Sequence, residues 1–217
     1  MTAGHLPQNS DAAISQLAAG SPALVWRKII ADTETPVGAA AKLIEPGRGD
    51  FLLESVEGGE VRGRYSLLGL NPDLIFRGKG STAEINRSWQ VDPAAFVGCS
   101  GNSLDELRKL AKACQITVPD ELPPALACLV GYFGYETIGL VEDLPRAPES
   151  ELKLPDLLFA RPTIILVFDG LTDELFCIAP IWEADNPSIA VEWAGERIDE
   201  ILRKLSGKIP ADAAPVS

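Results

Sequence analysis

Phe51 to Leu70, FLLESVEGGEVRGRYSLLGL, is two apolar runs on either side of Gly58-Gly59, with polar residues set inside the runs. Alternation along the first arm puts Phe51, Leu53 and Ser55 on one face and Leu52, Glu54 and Val56 on the other, so each face carries a polar group beside apolar ones. The glycine pair supplies the positive φ values that a tight hairpin turn needs. In the second arm, Arg64 to Leu70, a cation, a phenol and a hydroxyl follow one another before Leu67-Leu68 resumes the apolar pattern. The reading is a β-hairpin that gathers Glu54, Ser55, Arg64, Tyr65 and Ser66 among aliphatic neighbours.

Upstream of the hairpin, Leu24 to Ala31 is rich in β-branched residues and reads as a strand. Asp32 to Pro36 carries helix-capping residues with proline at the first helical position, and predicts a helix from Val37 to Ile44 that stops at Pro46-Gly47. Downstream, Leu74 to Gly78 and Thr82 to Arg87 predict two strands of an antiparallel meander. Asn102-Ser103 caps a helix over Leu104 to Ile116, with Asp105-Glu106 in the first turn where the dipole favours acid. Leu126 to Tyr135 reads as a buried strand. Its Gly131-Tyr132-Phe133-Gly134 run is not spaced as a phosphate loop, and is expected to serve close backbone packing.

Between Asp120 and Asp156 eight acidic residues face two basic ones, with Pro145, Pro148 and Pro155 among them, which predicts a surface loop. Pro162 to Phe168 and Leu175 to Trp182 read as a second hairpin. A long helix over Pro187 to Leu205 is expected to bury Ile189, Trp193, Ile198, Ile201 and Leu205 and to end at Gly207. The fold class predicted is α+β, largely antiparallel sheet with flanking helices.

Composition narrows the function classes. A net charge of −12 and a pI near 4.5 oppose a phosphate backbone, so no nucleic acid partner is expected. Apolar runs fall far short of the ~20 residues of a membrane span, and the N-terminus has neither a basic nor a continuous apolar region. A cytoplasmic location, without membrane attachment, is the expectation. Cys99, Cys114, Cys128 and Cys177 lack ligand spacing and the one histidine, His5, lies near the terminus. Four unpaired thiols, no zinc site and no histidine-based catalysis are therefore expected.

Three blocks carry a family resemblance: WRKIIADTETPVGAAAKL, then FLLES with GRYS and LLG, then LVGYFGYETIGLVEDLP. In that order they resemble the N-terminal domain of anthranilate synthase component I, the chorismate-using lyase that opens tryptophan biosynthesis. The resemblance spans roughly residues 24 to 182. It implies an L-tryptophan feedback site that includes Leu53, Glu54 and Ser55 on the first arm and Tyr65 and Ser66 on the second. It also implies partners: a C-terminal chorismate-binding domain of the same polypeptide, which carries the acid/base residues and Mg²⁺, and a glutamine amidotransferase subunit or domain.

No motif of that second domain occurs in this sequence. The organisation expected is a flexible N-terminus over 1–22, whose Ala-Ile-Leu scatter is compatible with a short helix, the N-terminal domain over 23–207, and the start of a linker over 208–217, with the catalytic domain absent. The function expected is allosteric feedback inhibition without catalysis by this chain alone. Two alternatives share the pattern: the corresponding domain of aminodeoxychorismate synthase component I, and a scaffold that docks the catalytic domain without binding a ligand.

Overall fold

The computed structural model describes residues 7, 9–54, 63–143 and 152–208. In chain order, α1 (Ser10–Ala18), β1 (Ala23–Ile30), α2 (Pro36–Leu43), β2 (Phe51–Leu53), β3 (Tyr65–Leu70), β4 (Leu74–Lys79), β5 (Thr82–Asn86) and β6 (Val97–Gly98) come first. They are followed by α3 (Ser103–Ala113), β7 (Val130–Phe133), a 3-10 turn (Tyr135–Leu140), β8 (Leu157–Arg161), β9 (Ile164–Asp169), β10 (Glu174–Ile181) and α4 (Pro187–Leu205). All strand pairs among the described residues are antiparallel, and the fold is α+β as the sequence predicts. The chain divides into two compact units, one of Met1–Asn71, Ile116–Leu126 and Thr163–Ser217, the other of Pro72–Gln115 and Ala127–Pro162.

The first unit holds a five-stranded sheet in the order β1-β10-β9-β3-β2. The PTIILVF run explains its centre, because every residue of β9 is buried and only a strand with partners on both sides can hide its backbone as well as its side chains. One face of the sheet, including Val25, Leu68, Leu166, Phe168 and Cys177, forms a single core with α1, α2 and α4. Helix starts follow the local code. The Thr35 hydroxyl accepts from the Gly38 N–H at 3.0 Å with Pro36 opening α2, and Asn186 Oδ1 accepts from the Ile189 N–H at 3.2 Å with Pro187 opening α4. Arg27 of β1 forms an ion pair with Asp199 of α4 and so fixes the helix against that strand.

Three expectations change here. Ser10–Ala18 is a helix whose Ala13 and Leu17 enter the core, not part of a flexible terminus. Small and apolar residues four apart gave it a docking face. The buried stripe of α4 runs through Val191, Ala194, Gly195, Ile198 and Leu205, while Ile189 is half-exposed and Trp193 exposed. Small residues there let the helix lie close to the sheet, with the Gly195 Cα near the Pro7 ring. The first arm of the central hairpin is strand only over Phe51–Leu53, and its Gly58-Gly59 turn lies outside the described residues.

The second unit holds the sheet β6-β5-β4-β8-β7, with α3 on it through Leu107 and Leu110. Asn102 Oδ1 accepts from the Asp105 N–H at 2.9 Å and caps α3. Arg161 grips Asp73 through two hydrogen bonds of 2.8 and 2.9 Å, tying the end of β8 to the start of β4. The expected buried strand over Leu126 to Tyr135 is instead the short edge strand β7, mostly exposed because it pairs with β8 alone. Close packing at Gly131 is present as expected: a Cβ there would lie 2.0 Å from the Leu158 carbonyl oxygen and 2.7 Å from the Phe159 Cα. Backbone atoms cannot swing aside as a side chain does.

Gly131→Ala is therefore expected to destabilise the chain by about 1–3 kcal/mol in urea or thermal denaturation. Gly139→Ala, at a position with open space around the new methyl, is expected to move the midpoint little. Equal effects at the two positions would contradict this account of β7.

Candidate functional site

β2 is the edge of its sheet, and its register with β3 places Phe51 opposite Gly69, Leu52 opposite Leu68, and Leu53 opposite Leu67. Cross-strand partners share a face. Leu53 is therefore on the face of Leu67 and Tyr65, and half-exposed at the rim. Glu54 follows the last paired residue, exposed, and extending the register by one step sets it opposite Ser66 on the other face. Ser66 is buried beside Phe168 of β9, on the face that meets the helices. The five residues singled out in the sequence are thus divided: Leu53 with Tyr65, Glu54 with Ser66, and Ser55 outside the described residues.

Glycine at 69 has a specific cause. The Phe51 ring lies over it, and a Cβ at 69 would fall 2.2 Å from the ring. The aromatic ring of the edge strand covers the gap that glycine leaves in β3.

Arg64 orders the start of β3. Its guanidinium donates to both carboxylate oxygens of Asp169 at 2.8 and 2.6 Å, its carbonyl accepts from the Gly170 N–H at 2.8 Å, and it sits 4.9 Å from the centre of the Tyr65 ring. Asp169 is 5% exposed, and a carboxylate so deeply placed needs this partner. The hydrogen bonds from Arg64 hold its pKa below the ordinary carboxylate value, helped by the Leu171 N–H and opposed by burial. The same contact raises the pKa of Arg64. By contrast, neither Glu54 nor Ser66 spends its side chain on a hydrogen bond to another described residue.

Among the described residues no three of His, Cys, Asp and Glu stand together as metal ligands. Burial pushes the thiols of Cys128 and Cys177 up to about 12, and raises Cys99 and Cys114 as well, so these groups are protonated packing residues at neutral pH. No helix among the described residues is long and apolar enough to cross a membrane.

Comparison with known proteins decides the family. Anthranilate synthase component 1 of Cereibacter sphaeroides is 41% identical to this chain over 195 residues, which are 89% of the chain and 39% of that protein. This chain is homologous to the N-terminal part of anthranilate synthase component 1. The component 1 proteins of Arthrobacter globiformis and Thermus thermophilus are 35% and 34% identical to it over similar lengths. The chain spans under two fifths of the length of these curated relatives. A solved anthranilate synthase component I, from Streptococcus pneumoniae TIGR4, shares 23% identity over 86% of this chain and 37% of that one, with a TM-score of 0.49. No family model matches the chain.

The site residue that sequence reasoning missed is Asp169. Its only signal was an acid closing an apolar strand, the common mark of a turn. Its pairing with Arg64 spans 105 positions of sequence.

Asp169→Asn keeps the shape and removes the charge. With a depressed folded-state pKa, the carboxylate contributes its full stability above the ordinary aspartate value of about 3.9 and loses it as pH falls through the lower folded value. The urea midpoint of the variant is expected to lie below that of the unaltered chain at neutral pH, with the gap closing in the acid range. A gap of constant size through that range would show that charge is not what Asp169 contributes.

Proposed function

We propose that this chain is the regulatory N-terminal domain of an anthranilate synthase, which forms anthranilate from chorismate, and that it contributes an L-tryptophan feedback site on the β2–β3 pair without catalysis of its own. The observation that carries this reading is the 41% identity to component 1 over 195 residues. The local chemistry supports it. Burying ~200 Å² of indole at about 25 cal/mol/Å² gives roughly 5 kcal/mol before association costs, short of the ~8 kcal/mol of micromolar binding. Polar anchors supply the rest: Glu54 for the α-ammonium group, and Ser55 with nearby backbone amides for the carboxylate. Leu53 and Tyr65 offer the apolar body from one face, while Ser66 stands on the other face beside the position of Glu54.

The end of β2 at Leu53 also matters. Along a continuing strand Glu54 and Ser55 point to opposite faces, and one ligand meets both only where the strand ends. Tryptophan inhibits at a distance by binding one arrangement of the whole enzyme better than another.

The partner reading has its own support. Phe133, Tyr135, Val141, Leu152 and Leu154 are large apolar side chains left 58–87% exposed. In this reading they dock the chorismate-binding part of the enzyme, where Mg²⁺ and the acid/base groups reside. A glutamine amidotransferase, component 2, completes the cytoplasmic assembly.

Two measurements test the proposal. In the full-length enzyme, Ser55→Phe and Glu54→Gln are expected to raise the tryptophan concentration for half inhibition, about tenfold for each 1.4 kcal/mol lost, with turnover at zero tryptophan unchanged. A folded Ser55→Phe enzyme with an unaltered inhibition curve would sink the feedback site. The 217-residue chain alone is expected to form no anthranilate from chorismate with Mg²⁺ and ammonia, and detectable product would overturn the division of labour.

A further inference from the structure

β2 is a strand of three residues, Phe51–Leu53, and the proposed effector site depends on where it sits along β3. Side chains alternate, so a slip of one residue would carry Leu53 and Glu54 each to the opposite face, and a slip of two would move them roughly 7 Å along the sheet. The observed pairs, Phe51–Gly69, Leu52–Leu68 and Leu53–Leu67, make a short ladder, and Leu67, Leu68 and Leu70 are alike as apolar neighbours. Register has to be specified by something more selective.

Two contacts specify it, both at the start of the strand. The first is the Phe51 ring lying over Gly69. Gly69 is the only residue of β3 without a side chain, and a Cβ there would fall 2.2 Å from the ring. In either adjacent register the ring would face a leucine instead.

The second is the Asp50 carboxylate, whose side chain is fully buried. It accepts from the Asn71 N–H at 2.7 Å, from the Glu45 N–H at 3.0 Å and from the Arg48 guanidinium at 2.7 Å. Both neighbours are themselves fixed: Arg48 donates to the Leu43 carbonyl at 2.8 Å, and the Asn71 carbonyl accepts from the Thr163 hydroxyl at 2.8 Å. Asp50 immediately precedes the first pair, and Asn71 stands two residues past Gly69. Moving β2 by one residue displaces Asp50 about 3.3 Å along the sheet, beyond hydrogen-bond reach of the Asn71 N–H. A buried carboxylate that loses a donor is destabilising, so this contact opposes a slip where a leucine pair would tolerate it.

We propose that Asp50 and Gly69 are positioning residues of the effector site, holding β2 in the one register that delivers Leu53 and Glu54 to L-tryptophan. The inference rests on the feedback reading. Asp50 acts at a distance, since an extended chain separates it from Glu54 by about 13 Å. Its effect passes through the fraction of molecules with β2 seated, because apparent affinity falls in proportion to that fraction.

In the full-length enzyme, Gly69→Ala and Asp50→Asn are each expected to raise the tryptophan concentration for half inhibition at least about threefold, with each curve normalised to the variant's own turnover. Val191→Ala, a truncation in the core face of α4, is expected to lower the thermal midpoint and leave that concentration unchanged, which separates register from general loss of stability. Hydrogen exchange read by mass spectrometry on a peptide covering residues 48–54 gives a measure free of turnover. Tryptophan is expected to slow exchange there in the unaltered enzyme and in Val191→Ala, and to protect less at the same concentration in Gly69→Ala and Asp50→Asn. Phe51→Leu removes the ring without adding a clash or stripping the carboxylate, and is expected to shift inhibition in the same direction should the other two fail to fold. If Ser55→Phe shifts the inhibition curve while those of the folded register variants superimpose on the unaltered one, or if Val191→Ala shifts it equally, the proposal is overturned and the feedback reading stands. An unaltered enzyme indifferent to tryptophan would remove both.

Discussion

The six residues of β9 are buried without exception, and most of the first unit follows from that constraint. A strand hidden on both faces must hydrogen-bond along both edges, so β3 and β10 flank it, and β1 and β2 are pushed to the outside of the sheet. The burial extends to Asp169 at its end. A carboxylate there is tolerated only with a hydrogen-bonded cation, and Arg64 supplies it from the residue before β3. That ion pair does two things at once: it neutralises a buried charge and it fixes the point at which Tyr65 and Ser66 enter the sheet.

Interior strands have no free backbone hydrogen-bonding groups to offer a ligand; those are left on the outer strands. At β2 the sheet presents Leu53 and Glu54 near the end of a short strand, with Tyr65 and Ser66 as neighbours held by Arg64. In the proposed reading, an effector bound at the margin would alter contacts with whatever docks there, while the core stays a fixed reference.

The cysteines fit this division. Their burial raises the thiol pKa values, most strongly at Cys128 and Cys177, and removes nucleophilic character. The Arg64–Asp169 ion pair, by contrast, orders a strand.

The sequence by itself determined the class of fold and most of its elements, because those depend on local rules, though not β6 or β8. Thr35-Pro36, Asn102 and Asn186-Pro187 announce helix starts through hydrogen bonds reaching three residues or fewer, and PTIILVF announces a buried strand by its unbroken apolar run. The three family blocks made the relationship legible in the same way, residue by residue. What lay beyond the sequence was each property set by distant partners. Trp193 and Val191 look alike as apolar residues of a helix, and only the placement of α4 on the sheet exposes one and buries the other. The GYFGYE region reads as core until its strand is found to have a single neighbour. Alternation warned that Glu54 and Ser55 face apart, but the early end of β2 came from the structure. The pairing of Arg64 with Asp169 belongs to tertiary structure alone, since a contact across 105 residues leaves no periodic trace in the chain.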